Sequence, residues 1–279
     1  MAEIIRFDDF REYYKFNQEF IDSNPMLYYH LENTIKRVFK GKGREPQLYK
    51  FFNVTDNDCF VSVLLIDNEC LIYANNTNDE VVEKVSEGLE FHLFKRYQFF
   101  GTKQIIDSLF QKYQVDYDEQ KHRKIYECKI VTPDFEYSPG KMSMADEQRI
   151  FELASFNVAF TKEYYGDTQD LDKAIQLIAG GISNDNLYQW NLDNNICAMA
   201  QAIHGDYDFP VIGHVFTNPN FRGKGYAASI VHRLTKGLLD AGNEKCMLST
   251  NAYTAASNKA FEKAGYLLTG EYVVRYKKK

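Results

Sequence analysis

Residues 215–227 read Val-Phe-Thr-Asn-Pro-Asn-Phe-Arg-Gly-Lys-Gly-Tyr-Ala, and this stretch decides the fold. An apolar, strand-like run ends at Thr217, a loop with two glycines follows, and a helix is predicted from Gly225 to about Ala241. Apolar residues recur along the predicted helix at helical spacing, at Ala227, Ile230, Val231, Leu234 and Leu238. The helix is therefore expected to bury one face.

The succession of strand, glycine loop and helix favours anion binding. The first turn of a helix has unpaired N–H groups at the positive end of the helix dipole. Gly223 and Gly225 let the backbone approach an anion closely, and Arg222 and Lys224 add positive charge for a pyrophosphate or a 3′-phosphate. A plain strand–turn–helix connection with solvated cations also fits these residues. A dinucleotide fold would need a third glycine where Ala228 stands, and a P-loop would need Ser or Thr after the lysine.

Two motifs carry a resemblance to a known family. The segment Pro-x-x-Arg-Gly-Lys-Gly-Tyr-Ala at 219–227 resembles the acetyl-CoA pyrophosphate loop of the GNAT superfamily, which joins that family's fourth strand to its third helix. Residues 248–266, which end in Ser-Asn-x-x-Phe-x-x-x-Gly-Tyr, resemble the family's fifth strand and fourth helix. The resemblance covers about residues 141–279, and it implies that acetyl-CoA is the co-substrate.

The resemblance also implies which residues bind CoA. The fourth and fifth strands splay apart in this family, and the pantetheine arm pairs with the fourth strand while the loop holds the pyrophosphate. The matching residues here are Val215, Phe216, Thr217, Arg222, Gly223, Lys224, Gly225, Tyr226, Ala227, Asn251, Ser257 and Phe261.

The catalytic residues are less clearly indicated than the CoA site. The family commonly places a tyrosine, as general acid, where Phe261 stands. The thiolate could leave unprotonated or through water, Tyr253 could substitute as the acid, or the protein could bind acyl-CoA without efficient transfer. His214 is a weak candidate for the general base, and a structural role for it is an alternative. The cluster Glu163-Tyr164-Tyr165 could line an acceptor pocket, or it could pack at the surface or between the domains.

The expected fold is α/β (α+β), with two GNAT-like domains that each contain a mixed, mostly antiparallel twisted sheet flanked by helices. Proline and glycine punctuation predicts a linker at 133–140 between an N-terminal domain at 1–132 and a CoA-binding domain at 141–279. The N-terminal half has a similar predicted order, including a helix capped by Asn78, but it has no Arg-Gly-x-Gly loop before that helix. It is expected to be a degenerate copy that does not bind CoA. Gly41 and Gly43 are expected to end its second helix, and a helix is predicted over 145–160.

Composition restricts the possible partners. The net charge is −6, and the basic residues show no cluster beyond Lys277–Lys279, which argues against nucleic acid. No apolar run approaches the roughly 20 residues that span a bilayer, so a cytoplasmic protein without a membrane partner is expected. The five cysteines are widely spaced, which predicts reduced thiols and no metal site. The oligomeric state is left open.

Three functions remain compatible with the sequence. The leading hypothesis is an N-acetyltransferase that moves acetyl from acetyl-CoA to an amine, either a small molecule or a peptide, by direct attack. The second is an acyl-CoA sensor or scaffold with a vestigial active site, which the phenylalanine at 261 motivates. The third is a structural protein that keeps the fold without binding CoA.

Overall fold

The computed structural model describes residues 1–40, 48–91, 98–205 and 207–278. For residues 48 and 49 it describes only the backbone. The chain divides into two compact units. The first consists of residues 1–124 and 269–279, and the second of residues 125–268.

The same order of strands and helices occurs twice along the chain. The first repeat consists of β1 (Glu3–Arg6), α1 (Phe10–Ser23), α2 (Tyr29–Lys40), β2 (Leu48–Asp56), β3 (Cys59–Ile66), β4 (Glu69–Ala74), α3 (Asp79–Leu89), β5 (Gln98–Thr102), α4 (Lys103–Lys112) and β6 (Tyr117–Cys128). The second consists of β7 (Lys141–Met144), α5 (Ile150–Tyr165), α6 (Leu171–Ser183), β8 (Leu187–Leu192), β9 (Asn195–Ile203), β10 (Val211–Thr217), α7 (Tyr226–Asp240), β11 (Cys246–Asn251), α8 (Ala255–Ala264) and β12 (Leu267–Lys277). This repetition agrees with the predicted fold of two mixed α/β domains.

The sheet of each unit is completed by the final strand of the other repeat. In the first unit the strand order is β1-β2-β3-β4-β5-β12, and in the second it is β6-β11-β10-β9-β8-β7. Residues 125–128 of β6 belong to the second unit and residues 269–277 of β12 to the first. The segment 133–140, which was predicted to be a linker, therefore lies within the second unit. The last residues of the predicted CoA-binding domain pack with the first unit.

Local signals place most boundaries of the helices. Asn78 caps α3 as predicted, because its side chain accepts a hydrogen bond from the Val81 N–H at 2.9 Å. Helix α5 begins at Ile150, after a 3-10 turn at Glu147–Arg149, and it ends at Tyr165, where Gly166 adopts a left-handed conformation with φ of 76°. The helix predicted over 145–160 is thus displaced by about one turn. The predicted stop at residues 41 and 43 lies outside the described residues.

Strands β4 and β5 of the first unit form a closed parallel ladder. They are in register over four positions, from Glu69 opposite Gln98 to Ile72 opposite Gly101. A Cβ at Gly101 would lie 1.7 Å from the Ile72 carbonyl oxygen, so glycine is required for this close approach. The Thr102 hydroxyl accepts a hydrogen bond from the Ala74 N–H at 2.9 Å and continues the contact past the ladder.

The core of the second unit is built from both ends of its sequence. The buried residues include Tyr126 and Cys128 of β6, Ile230 and Val231 of α7, and Phe261 of α8. Two of these five, on β6, precede the boundary that the sequence suggested. The five cysteines are all buried free thiols, as expected from their spacing.

Arg275 ties the C-terminal strand into the first unit. Its side chain is 2% exposed, and it forms ion pairs with Asp107 of α4 and with Glu119 of β6, the latter at 2.8 Å. The guanidinium also lies 4.1 Å from the ring centroid of Tyr117. A buried charge that loses its partner is costly, so this group should matter more than a surface ion pair.

We predict that Arg275→Met destabilises the first unit by about 3 kcal/mol, because Asp107 and Glu119 lose their shared cation. Urea unfolding followed by circular dichroism measures the effect. The control is Lys236→Met, which removes an exposed pair with Asp240 and should cost at most about 0.5 kcal/mol. Equal effects of the two substitutions would contradict the assigned role of Arg275.

Candidate active site

Strand β10 carries a bulge just after its register position with β11. Gly213 lies opposite Gln201 of β9 and Phe216 lies opposite Met199, so β10 carries an extra residue in this interval. His214 within the bulge has a φ of 49°, in the left-handed region. The parallel pairing of β10 with β11 comprises one register position among the described residues, Val211 opposite Met247. The two strands therefore diverge towards their carboxyl ends, as the resemblance implied.

The glycine loop leads from this divergence into α7. A 3-10 turn at Pro219–Phe221 follows β10, and Gly223 and Gly225 both have left-handed backbones, with φ of 76° and 82°. Gly225 is the N-cap of α7, and no side chain in the described part of the chain caps the helix. The N–H groups of the first turn are thus not satisfied by a capping side chain, which is the arrangement that binds anions.

The segment 132–140 forms hydrogen bonds with the glycine loop and with α7. The Ser138 hydroxyl donates to the Lys224 carbonyl at 2.8 Å, and the Ser138 N–H donates to the Ser229 hydroxyl at 2.9 Å. Further along α7, His232 bonds to the Thr132 carbonyl at 2.8 Å. The proline and glycine residues at 133–140 predicted a linker, and no pattern in the sequence indicated that this segment would contact α7.

The two cations of the loop lie over aromatic rings. The Arg222 guanidinium bonds to both carboxylate oxygens of Glu163 at 2.9 and 3.0 Å and to the Thr217 carbonyl at 3.1 Å. The Lys224 ammonium lies 5.4 Å from the ring centroid of Phe221. Arg222 thus links the loop to the end of α5. Its pair with Glu163 is about half exposed, and such a pair is readily exchanged for another anion.

Helix α5 covers the bulge with aromatic and amide side chains. The Phe160 ring lies 5.4 Å from the His214 ring, and the Asn157 amide nitrogen lies 3.3 Å from His214 Nδ1. Burial lowers the pKa of His214 below its ordinary value. The imidazole is therefore neutral at pH 7 and able to accept a proton. The Tyr164 hydroxyl reaches from α5 to the Ser249 carbonyl of β11 at 3.5 Å.

The predicted binding residues on β10 and α7 differ in exposure. Phe216 and Tyr226 are buried at 4% and 3% exposure, so their side chains belong to the core and their backbone remains the part that a ligand could meet. Val215, Thr217 and Ala227 are partly buried. Val215 lies between the register positions that flank the bulge, outside the regular pairing with β9.

The residues predicted after β11 take several roles. Asn251 accepts a hydrogen bond from the Tyr253 N–H at 3.0 Å and forms the turn into α8. Ser257 is partly buried. The two candidate catalytic residues lie on different elements: the Tyr253 side chain is 73% exposed in this turn, and His214 lies in the bulge of β10. Phe261 is 6% exposed and packs in the core.

Asn258 of α8 is a candidate site residue that the sequence prediction did not name. Its amide nitrogen donates to the Ala252 carbonyl at 3.0 Å, and its Oδ1 is buried without a hydrogen-bond partner among the described residues. A buried amide oxygen normally has a partner, so this atom is an acceptor available to a ligand. The motif around 257–266 was the signal that could have found it.

Comparison with known proteins identifies the class to which this site belongs. Residues 149–266 match the family model described as the acetyltransferase (GNAT) family. The second unit therefore contains an acetyltransferase domain of the GNAT family, which implies acyl transfer from acetyl-CoA. No curated protein matches the chain.

Solved structures extend the likeness of fold to both units. An acetyltransferase of the GNAT family from Colwellia psychrerythraea is 14% identical, with 99% of this chain and 100% of that chain covered and a TM-score of 0.55. A GCN5-related N-acetyltransferase from Sphaerobacter thermophilus is 12% identical, with 88% of this chain and 84% of that chain covered and a TM-score of 0.53. At these identities the likeness concerns the fold alone.

Membrane-spanning helices and metal sites are both absent from residues 1–40, 48–91, 98–205 and 207–278. No helix there is both long enough and apolar enough to cross a membrane. Across the same residues, no group of three or more His, Cys, Asp or Glu side chains is arranged to hold a metal ion.

We predict that His214 titrates below about 6.5, the ordinary pKa of histidine, and that Phe160→Ala raises its pKa, because removing the ring hydrates the imidazole. An NMR titration of the imidazole protons measures both, with His214→Gln to assign the resonance. A wild-type midpoint at or above the ordinary value would contradict the burial of this group.

Proposed function

We propose that the protein is an N-acetyltransferase, in which the second unit binds acetyl-CoA and an amine attacks the thioester beside the bulge of β10. The observation that carries the proposal is the divergence of β10 from β11 next to the uncapped start of α7. A gap between strands and an anion site at a helix N-terminus suit the two ends of one ligand, the pantetheine arm and the pyrophosphate.

The residues present fit acetyl-CoA on several counts. The N–H groups at 222–227 would hold the pyrophosphate, with Lys224 near and with Arg222 exchanging Glu163 for phosphate. Backbone groups at 215–217 would pair with the pantetheine amides. The buried Asn258 Oδ1, which has no partner among the described residues, would accept a hydrogen bond from an amide N–H of the arm.

His214 is the general base that the geometry favours, because the imidazole is partly buried at the bulge. Tyr253, the candidate for the general acid, is exposed in the turn before α8. An alkylammonium acceptor has a pKa of about 10 and must first lose a proton, which His214 would take and pass to solvent. The amine then forms the C–N bond at the carbonyl, and a backbone N–H of the bulge stabilises the oxyanion. The C–S bond breaks with its electron pair on sulfur, and the second amine proton ends on the thiolate.

The first unit is not proposed to bind CoA. Its parallel strands β4 and β5 are joined over four positions, which leaves no gap for a pantetheine arm. Its equivalent helix, α3, is already capped by Asn78, and its first turn carries Asp79 and Glu80. Two carboxylates at a helix N-terminus repel a pyrophosphate.

A second candidate function is an acyl-CoA sensor, and Phe261 favours it. The ring lies 6.5 Å from the rings of Tyr126 and Tyr266 in the core, and it supplies no hydroxyl to protonate a thiolate. Loss of a general acid reduces a rate by roughly 10²–10⁴-fold. Turnover of the wild type beside Phe261→Tyr separates the two functions.

We predict that acetyl-CoA binds with a stoichiometry of a single molecule per chain, and that CoA is released when a panel of amines, amino acids, polyamines and peptides is supplied. Calorimetry and a thiol assay measure these. Binding without release for any acceptor would favour the sensor, and absence of binding would favour a structural protein. Two molecules bound per chain would contradict the proposal that the first unit does not bind CoA.

We predict that Gly225→Ala weakens acetyl-CoA binding by about tenfold, because an alanine resists the left-handed backbone, at a cost of about 1–2 kcal/mol. Its Cβ would also lie 3.0 Å from the Ser138 hydroxyl. The control is Gly237→Ala within α7, where a Cβ meets nothing within 4 Å and affinity should not change. Equal affinities for both variants would remove this account of the loop.

A further inference from the structure

His214 adopts a backbone conformation that needs a reason. A φ of 49° costs a residue with a Cβ about 1–2 kcal/mol relative to ordinary extended backbone. Such outliers persist where the surrounding structure enforces them, and they concentrate at functional sites. Here the conformation accompanies contacts of the imidazole with two side chains of α5, the Phe160 ring and the Asn157 amide.

Asn157 is an unusual residue for a helix face that packs against a sheet. It is 1% exposed, and the other buried residues of α5, Leu153, Ala154 and Phe156, are apolar. Its amide nitrogen contacts His214 Nδ1 at 3.3 Å, and its Oδ1 has no hydrogen-bond partner in the described part of the chain. Leaving a buried acceptor unsatisfied costs about 1–3 kcal/mol, so the folded protein alone does not explain this amide.

The contact with Asn157 makes the two imidazole nitrogens different. Nδ1 faces the amide, whereas Nε2 has no hydrogen-bond partner among the described residues. When the amide N–H donates to Nδ1, the neutral ring carries its hydrogen on Nε2. Nε2 can accept a proton only in the other tautomer, in which Nδ1 carries the hydrogen and needs an acceptor. Rotation of the Asn157 carboxamide by half a turn brings Oδ1 to that position, and the unsatisfied oxygen then gains its hydrogen bond.

We propose that Asn157 is a positioning residue, which holds His214 through Nδ1 so that Nε2 receives the proton of the acceptor amine. The inference rests on the proposed function and adds to it the group that orients the base. The carboxamide stabilises the imidazolium as it forms, in the way that an orienting group supports a catalytic histidine in other enzymes.

The titratable groups on the elements beside the bulge leave this role to Asn157. Helix α5 carries Glu163, which pairs with Arg222, and the tyrosines Tyr164 and Tyr165. The neighbouring strands carry the buried thiols Cys197 of β9 and Cys246 of β11. Burial is the cause of the lowered pKa of His214, so a charge introduced at position 157 should have a clear effect.

The test uses the full chain and compares Asn157→Asp, Asn157→Leu and, as a matched amide-to-acid control, Asn184→Asp. Asn184 bonds to the Gly180 carbonyl at the exposed end of α6. Two readouts are measured: the NMR titration of His214, and the acidic limb of the pH profile of kcat/KM with the best acceptor. Circular dichroism checks folding, and Asn157→Ser replaces the leucine variant if that variant does not fold.

In Asn157→Asp, we expect the pKa of His214 and the acidic limb to rise together by about one unit or more, because a carboxylate beside Nδ1 favours the imidazolium. In Asn157→Leu, we expect both to fall and kcat/KM at the plateau to drop by about tenfold or more, with the affinity for acetyl-CoA unchanged. The control should move neither.

The outcomes against the inference are distinct from failure of the proposed function. An unmoved His214 titration in Asn157→Asp overturns the coupling, whatever the activity. A shifted titration with an unmoved acidic limb overturns the role in catalysis. Absence of turnover by the wild type, with acetyl-CoA bound, is failure of the proposed function itself.

Discussion

The divergence of β10 from β11 is the constraint on which the rest of the site depends. Parallel strands that stay paired leave no backbone group free, whereas strands that part after one register position expose a row of them. The bulge at Gly213–Phe216 accompanies this separation and turns His214 into the left-handed region. The gap, His214 and the start of α7 thus lie at one end of the same strand.

The first unit shows what the same order of elements gives without that irregularity. Its strands β4 and β5 remain paired, with Gly101 against the Ile72 carbonyl, and Asn78 occupies the N-terminus of its helix. Fold and ligand site are therefore separable in this chain. The first unit depends on the second repeat for its structure. Its sheet is completed by β12, the last strand of that repeat, which carries the buried Arg275.

Two aromatic residues, Phe261 and Phe160, affect proton transfer in the proposed reaction. Phe261 contributes to the core and offers no proton, so in the proposed reaction the departure of the thiolate depends on the amine's own second proton or on solvent. Phe160 contributes differently, because its ring shields the imidazole and keeps it neutral at pH 7. The proposed reaction therefore relies on proton removal from the acceptor more than on proton delivery to the leaving group.

The sequence by itself determined the loop at 222–227, the helix after it and the repeated order of elements. Glycine conformations, N-caps and helical spacing are local properties, and residues within a few positions of one another express them. Tertiary structure decided the rest. Asn157 and His214 are 57 residues apart, and Tyr126 of β6 joins a core far from it in sequence. No local pattern records which strand completes a sheet or which amide meets an imidazole, because packing across the folded unit determines both.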